Sequence, residues 1–179
     1  RYDEASNIYY ITGLRNGYYM IDDYFPFVYG GEAMDGSAYI MAINGSTYER
    51  IWHLEGTTNW PTYYLISIDD IQIDNQSHVY ISGRYSNHPE YPGVYLGTHQ
   101  ISNNAVFGES VYVAKLNNQG QFLWSKTPTS TMIPNTTTVG ASVKGITFNG
   151  DQVIIAGAGQ VENWGNGLNI DKPFGHRID

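Results

Sequence analysis

The chain has 179 residues, a formal net charge of −8 and no cysteine. These values exclude disulfides and thiolate metal sites, and they leave no basic surface that would attract nucleic acid or an anionic membrane. Tyrosine is abundant at 16 residues while charged residues make up only 15%, a balance that favours half-buried strands over surface helices.

The predicted strands recur along the chain. Strands that end in glycine lie at residues 9–13, 79–83 and 153–157. Their glycines are Gly13, Gly83 and Gly157, which follow one another at intervals of about 72 residues. A fixed period of this length is typical of stacked repeats of one supersecondary unit.

The other strands of the unit recur in the same phase. Residues 37–44 match residues 110–117, and the strands that follow carry Trp52 and Trp124 at equivalent places. Another pair of strands, at residues 70–74 and 143–148, precedes two of the glycine-ended strands. Short turns rich in Asn, Gly and Asp join the first strand to the second and the third to the fourth. Each unit is therefore predicted to be four antiparallel strands.

Four up-and-down strands per repeat are typical of a β-propeller blade, so the predicted fold is all-β with about two and a half blades. The blades are assigned to residues 1–60, 61–134 and 135–179, the first incomplete at its start and the last at its end. We expect the chain to be a segment of a larger propeller, with further blades from the same or another chain.

The second unit carries the pattern by which the chain resembles a known family. Residues 71–83, then 110–120 and 122–126, are similar to the bacterial β-propeller repeat of large secreted and cell-surface proteins. The resemblance implies the propeller fold and an extracellular or cell-surface location. Its motifs specify turns and packing, so it implies no active site.

The connection between the second and third strands is long in each unit and is the predicted binding region. Tyrosine and tryptophan give a large contact area with few torsions to freeze, so they suit a protein or glycan partner. The candidate binding residues are Tyr18, Tyr19, Tyr24, Phe25, Tyr29, Tyr91, Tyr95 and Trp164. The same rings could instead fill space between blades, an interpretation that is preferred for the aromatic set and most strongly for Trp52 and Trp124, which recur at one place in the unit.

Catalytic and metal-binding patterns are weak. The closest approaches to a metal pair are His53 with Glu55 and His88 with Glu90, and these are better explained as polar side chains that lie on the surface or in loops. No catalytic residue, metal ligand or cofactor is assigned. Calcium stays open for the loop carboxylates, although the spaced Asp loop of an EF-hand is absent. The candidate carboxylates are Asp22, Asp23, Asp35, Asp69 and Asp70. For Asp70 and Asp74 turn capping is the preferred role.

The sequence thus predicts a non-catalytic extracellular module that binds protein or glycan through its long loops. It predicts no nucleic-acid partner and no membrane insertion, because no apolar run approaches the ~20 residues that a spanning helix needs. Two alternatives remain open. One is a structural segment of an outer-membrane or filament assembly, and the other is a glycan-active propeller enzyme.

Overall fold

The computed structural model describes residues 1–14, 27–34, 36–59, 66–102, 108–130, 142–149, 152–158, 161–163 and 169–171. These residues form antiparallel strands and contain no helix, so the all-β prediction is confirmed. The strands are, in chain order, β1 (Tyr2–Asp3), β2 (Ile8–Leu14), β3 (Phe27–Tyr29), β4 (Glu32–Met34), β5 (Ala38–Asn44), β6 (Arg50–Thr58), β7 (Asp70–Ile73), β8 (Val79–Asn87), β9 (Val94–Leu96), β10 (His99–Ser102), β11 (Gly108–Leu116), β12 (Phe122–Lys126), β13 (Thr129–Ser130), β14 (Ser142–Asn149), β15 (Gln152–Ala158), β16 (Val161–Asn163) and β17 (Asn169–Asp171).

Three sheets follow one another along the chain. Sheet 1 has the order β1-β2-β5-β6-β9-β10, sheet 2 the order β12-β11-β8-β7, and sheet 3 consists of β14 and β15. The hairpin β3-β4 stands apart, and β13, β16 and β17 form a small sheet of their own. Because the strands run up and down, the tight turns lie at one end of the sheets and the long segments lie at the other, which we call the loop end.

Equivalent residues of the repeats hold equivalent places in the sheets. Gly13 pairs with Tyr39 across β2 and β5, and Gly83 pairs with Tyr112 across β8 and β11. A Cβ on Gly13 would collide with the Tyr39 ring, whereas a Cβ on Gly83 would collide with the Ser67 carbonyl and come tightly against the Tyr112 ring. Gly13 and Gly83 thus lie where a neighbouring group leaves no room for a side chain, the Tyr39 ring at Gly13 and chiefly the Ser67 backbone at Gly83.

The fourth strands share the same irregularity. The pairing of β5 with β6 skips Ile51, and the pairing of β11 with β12 skips Leu123, each one residue ahead of the repeated tryptophan. Each skipped residue is the extra residue of a β-bulge, and both are about half exposed.

The tryptophans pack against a tyrosine of the second strand in each sheet. The ring centroids of Tyr10 and Trp52 are 5.9 Å apart, and those of Tyr80 and Trp124 are 6.0 Å apart. Trp52 also donates a hydrogen bond of 2.8 Å from its indole N–H to the carbonyl of Asn118, which lies in a turn of sheet 2. The repeated tryptophan thus packs within its own sheet, and Trp52 in addition connects sheet 1 to sheet 2.

The core lies between the faces of successive sheets. Sheet 1 contributes Tyr10 and Ile40 to the largest cluster, and sheet 2 contributes Val79 and Ile81 from the face opposite. The other face of sheet 2 presents Tyr80 and Val113 to sheet 3. Since side chains alternate between faces along a strand, sheet 2 buries apolar residues on both sides, and β8 and β11 contain unbroken apolar stretches at residues 79–81 and 111–114.

Candidate functional site

A small cleft of about 60 Å³ opens to solvent at the loop end, where sheet 1 meets sheet 2. Its apolar part comes from Leu14, at the end of β2, and from Ile66, which precedes sheet 2. The polar part comes from sheet 2 and from the segment that leads to it. These polar residues are Ser67, Arg84, Tyr85, Ser86 and Glu109. The cleft therefore joins an apolar floor to charges of both signs and to hydroxyl groups.

The polar wall of the cleft is held in place by hydrogen bonds. The hydroxyl of Ser67 accepts a bond of 3.2 Å from the backbone N–H of Arg84, and its carbonyl accepts one of 2.9 Å from the Tyr112 hydroxyl. The Arg84 guanidinium lies 3.2 Å from the Asp69 carboxylate. Because the Arg84 side chain is nearly half exposed, the remaining guanidinium donors can reach a ligand.

The connection between the second and third strands is the predicted binding region, and in the second unit part of it folds as the hairpin β9-β10. This hairpin arises within the second unit but adds to the far edge of sheet 1. Thr57 of β6 pairs with Tyr95 of β9, and the backbone bonds Gly97 N–H to Glu55 O (2.8 Å) and Asn59 N–H to Gly93 O (3.2 Å) extend the ladder. The insertion of one unit thus completes the sheet of the unit before it.

The third unit repeats this pairing. Thr129 and Ser130 form β13, a short strand that follows the fourth strand of the second unit, and they pair with Asn163 and Glu162 of β16. Thr129 holds the place in its unit that Thr57 holds in the first, since both lie five residues after the repeated tryptophan. Sequence reasoning did not predict that the hairpin inserted in one unit pairs with a strand of the preceding unit.

Of the described candidate binding residues, Tyr29 and Tyr95 lie on the inserted hairpins and Tyr91 lies in the segment before β9. Tyr29 packs against the cluster of Met34, Met41 and Ile43, and its hydroxyl donates to the carbonyl of Tyr48 at 2.8 Å. Tyr91 is 39% exposed beside His88, with ring centroids 5.3 Å apart. Tyr95 is half-buried in β9. Tyr18, Tyr19, Tyr24, Phe25 and Trp164 lie outside the described residues.

Asp74 is the centre of a polar cluster at the turn end of sheet 2. Its carboxylate accepts bonds from the backbone N–H groups of Gln76 and His78, both 2.9 Å, and from the His78 ring at 2.9 Å. Lys115 approaches to 3.4 Å and also lies over the Tyr80 ring. Burial alone would raise the pKa of Asp74, but these hydrogen bonds lower it to about 2. The arrangement caps a tight turn, as predicted for this residue.

His99 and Ser125 form a contact between the inserted hairpin and sheet 2. The His99 Nε2 lies 2.9 Å from the Ser125 hydroxyl, and the imidazole stacks on Phe122 with centroids 4.0 Å apart. Burial lowers the pKa of His99, which keeps the ring neutral near pH 7. Among the described residues no carboxylate is recorded at the other ring nitrogen, so the pair lacks the orienting group of a catalytic triad.

The carboxylates considered for calcium have other partners where they are described. Asp69 pairs with Arg84, and Asp70 accepts bonds from the backbone N–H groups of Ile71 (2.8 Å) and Ile146 (2.9 Å). Asp22, Asp23 and Asp35 lie outside the described part. Within that part, no three acidic or histidine side chains gather as a metal ion would need. The same part contains no helix that is long and apolar enough to cross a bilayer.

Comparison of the chain with protein-family models, with curated proteins and with solved structures finds no match.

Proposed function

We propose that the chain is a non-catalytic binding module of the β-propeller type, which holds a glycan or a protein segment in the cleft at its loop end. The observation that carries the proposal is the lining of that cleft. Arg84 and Glu109 offer charged hydrogen-bonding groups, Ser67 and Ser86 offer hydroxyls, and Leu14 offers an exposed apolar surface. Recognition sites combine an apolar wall with a few placed polar groups in this way.

The module is proposed to act outside the cell or at its surface, in keeping with the resemblance to secreted propeller repeats. The enzyme alternative has less support. Glycoside hydrolysis uses two carboxyl groups on either side of the bond, and Glu109 is the one carboxylate among the described lining residues. The architectural alternative is favoured by the hairpins that pair one sheet with the next, since such pairing suits an extended stack.

Glycan-array and peptide-array binding of the purified chain tests the proposal, with the variants Arg84→Ala and Glu109→Gln. We expect at least one glycan or peptide class to bind, and each variant to weaken it roughly tenfold, as loss of a charged hydrogen bond implies. Gln119→Ala, an exposed residue in a turn at the opposite end, is the matched control and should bind as the parent does. Binding that neither cleft variant alters, or turnover of a polysaccharide, would contradict the proposal.

A further inference from the structure

The hairpin β3-β4 has the same construction as β9-β10. Each has a first strand of three residues, a two-residue turn and a second strand, and the turn begins with a glycine in the left-handed region, Gly30 at φ +61° and Gly97 at +60°. The second strands each bury one apolar residue, Met34 and Ile101. Both hairpins are inserted between the second and third strands of their unit.

The two hairpins also sit at the same place on their own sheets. His99 of the second hairpin stacks on Phe122, at the start of the fourth strand of sheet 2. Glu32 holds the equivalent place in the first hairpin and forms an ion pair with Arg50, at the start of the fourth strand of sheet 1. The first hairpin therefore lies over sheet 1 as the second lies over sheet 2.

The hairpins differ in what they pair with. The first strand of β9-β10 pairs with the end of a fourth strand through Tyr95, and β16 does the same in the third unit. In the described part of the chain β3 pairs with β4 alone. Tyr29 and Glu32 flank the two-residue turn and exchange its hydrogen bonds, so the N–H and C=O of Val28 point to the opposite edge. Val28 is 55% exposed.

The face of sheet 1 beside this hairpin is exposed at positions where the equivalent face of sheet 2 is buried. Val79 and Ile81 of sheet 2 face sheet 1 and are 0% exposed. Tyr9 and Ile11 hold the same register positions in sheet 1 and are 39% and 43% exposed. Met41 and Ile43, on the same face, are buried under the hairpin. An open strand edge thus stands beside an open apolar face.

We propose that this edge and face form a docking site for a further four-stranded unit of the same kind. The fourth strand of that unit pairs antiparallel with β3 at Val28, and its sheet packs on Tyr9 and Ile11. The two pairings within the chain define the chemistry of the incoming strand: a tryptophan five residues ahead of a threonine that pairs with the hairpin, as in Trp52 to Thr57 and Trp124 to Thr129. This inference rests on the repeat interpretation in the proposed function and not on the cleft.

A peptide of residues 50–59, labelled with a fluorophore at its N-terminus, is the probe, and its binding to the full chain is followed by fluorescence anisotropy. We expect saturable one-to-one binding that Val28→Pro weakens by roughly tenfold, because proline removes the outward N–H without touching the bonds between β3 and β4. Val28→Ala keeps that N–H and is the matched control. The same loss is expected when the peptide is N-methylated at its residue 57, a change that leaves the protein intact.

Three results would overturn the inference. They are absence of saturable binding at millimolar peptide, equal binding by Val28→Pro and Val28→Ala, and sedimentation of the parent chain as a dimer that Val28→Pro dissociates. The last would assign the edge to a second copy of the chain. Arg84→Ala should leave peptide binding unchanged, which separates failure of this site from failure of the cleft.

Discussion

Replacing Gly83 by alanine tests the close approach of the Ser67 backbone to the glycine in sheet 2. A Cβ at this position would lie well inside 3.0 Å of the Ser67 carbonyl oxygen and 3.0 Å from the Tyr112 ring. Ser67 cannot move freely, because its carbonyl accepts the Tyr112 hydroxyl bond and its hydroxyl accepts the Arg84 N–H. Relief of the collision must shift backbone, so we expect a loss of about 3 kcal/mol, at the upper end for overpacking.

Urea and thermal unfolding followed by circular dichroism measure this loss, which corresponds to a melting temperature lower by roughly 6–12 °C for a domain of this size. Gly145→Ala is the matched control, since its Cβ would meet only an Asp70 oxygen at 3.7 Å, an ordinary contact. Gly13→Ala should fall between them at about 1–2 kcal/mol, because it meets only the Tyr39 ring, a side chain. Equal stability of Gly83→Ala and Gly145→Ala would refute the reasoning.

Three further predictions concern hydrogen bonds and titration. The lowered pKa of Asp74 means that its carboxylate stabilises the fold above the unfolded pKa of ~3.9, and that this contribution is lost between about pH 4 and 2. Asp74→Asn should therefore flatten the dependence of stability on pH in that window, as measured by urea titrations. Burial lowers the pKa of His99, so the fold loses stability as the pH falls below the unfolded value of ~6.5. His99→Phe should remove this dependence of unfolding free energy on pH. An NMR titration of the parent should place the His99 midpoint below ~6.5. Trp52→Phe removes the bond to the Asn118 carbonyl and should cost about 1 kcal/mol more in chemical denaturation than Trp124→Phe, for which no indole hydrogen bond is recorded in the described part; equal losses would contradict the role of that bond.

The strands and their phase could be predicted from the sequence because the signals are local. Short apolar runs rich in Val, Ile and Tyr mark β8 and β11, and the recurrent glycine and tryptophan fix which residues are equivalent. The structure places Gly13 and Gly83 at equivalent pairs, opposite Tyr39 and Tyr112. The physical reason could not be predicted from the sequence, since the contacts of Gly13 with the Tyr39 ring and of Gly83 with the Ser67 carbonyl depend on register and packing.

The inserted hairpins could not be assigned to a sheet from local patterns. Residues 94–101 show strand propensity and a glycine turn, but which edge they join is decided by packing between units. A signal was nonetheless present, because residues 27–34 and 94–101 share apolar strand residues around a glycine and an apolar residue at the end. Tyr29 and Tyr95 were predicted from their aromatic character as binding residues, and the structure places both on these hairpins. Their role in binding stays a prediction.

The pairing of one unit's inserted hairpin with the sheet of the preceding unit is tested most directly by engineering a disulfide between β6 and β9. The chain has no cysteine, so the paired variant Thr58→Cys with Val94→Cys gives an unambiguous free-thiol count. These residues are directly opposite in the register, a separation within the reach of a disulfide. The control, Thr58→Cys with Ser102→Cys, spans two strand spacings of roughly 10 Å and is out of reach. Under mild oxidation the first variant should lose both thiols in the folded monomer and the control should keep them; free thiols in the first, or equal bridging in both, would contradict the pairing of one unit's insertion with the preceding sheet.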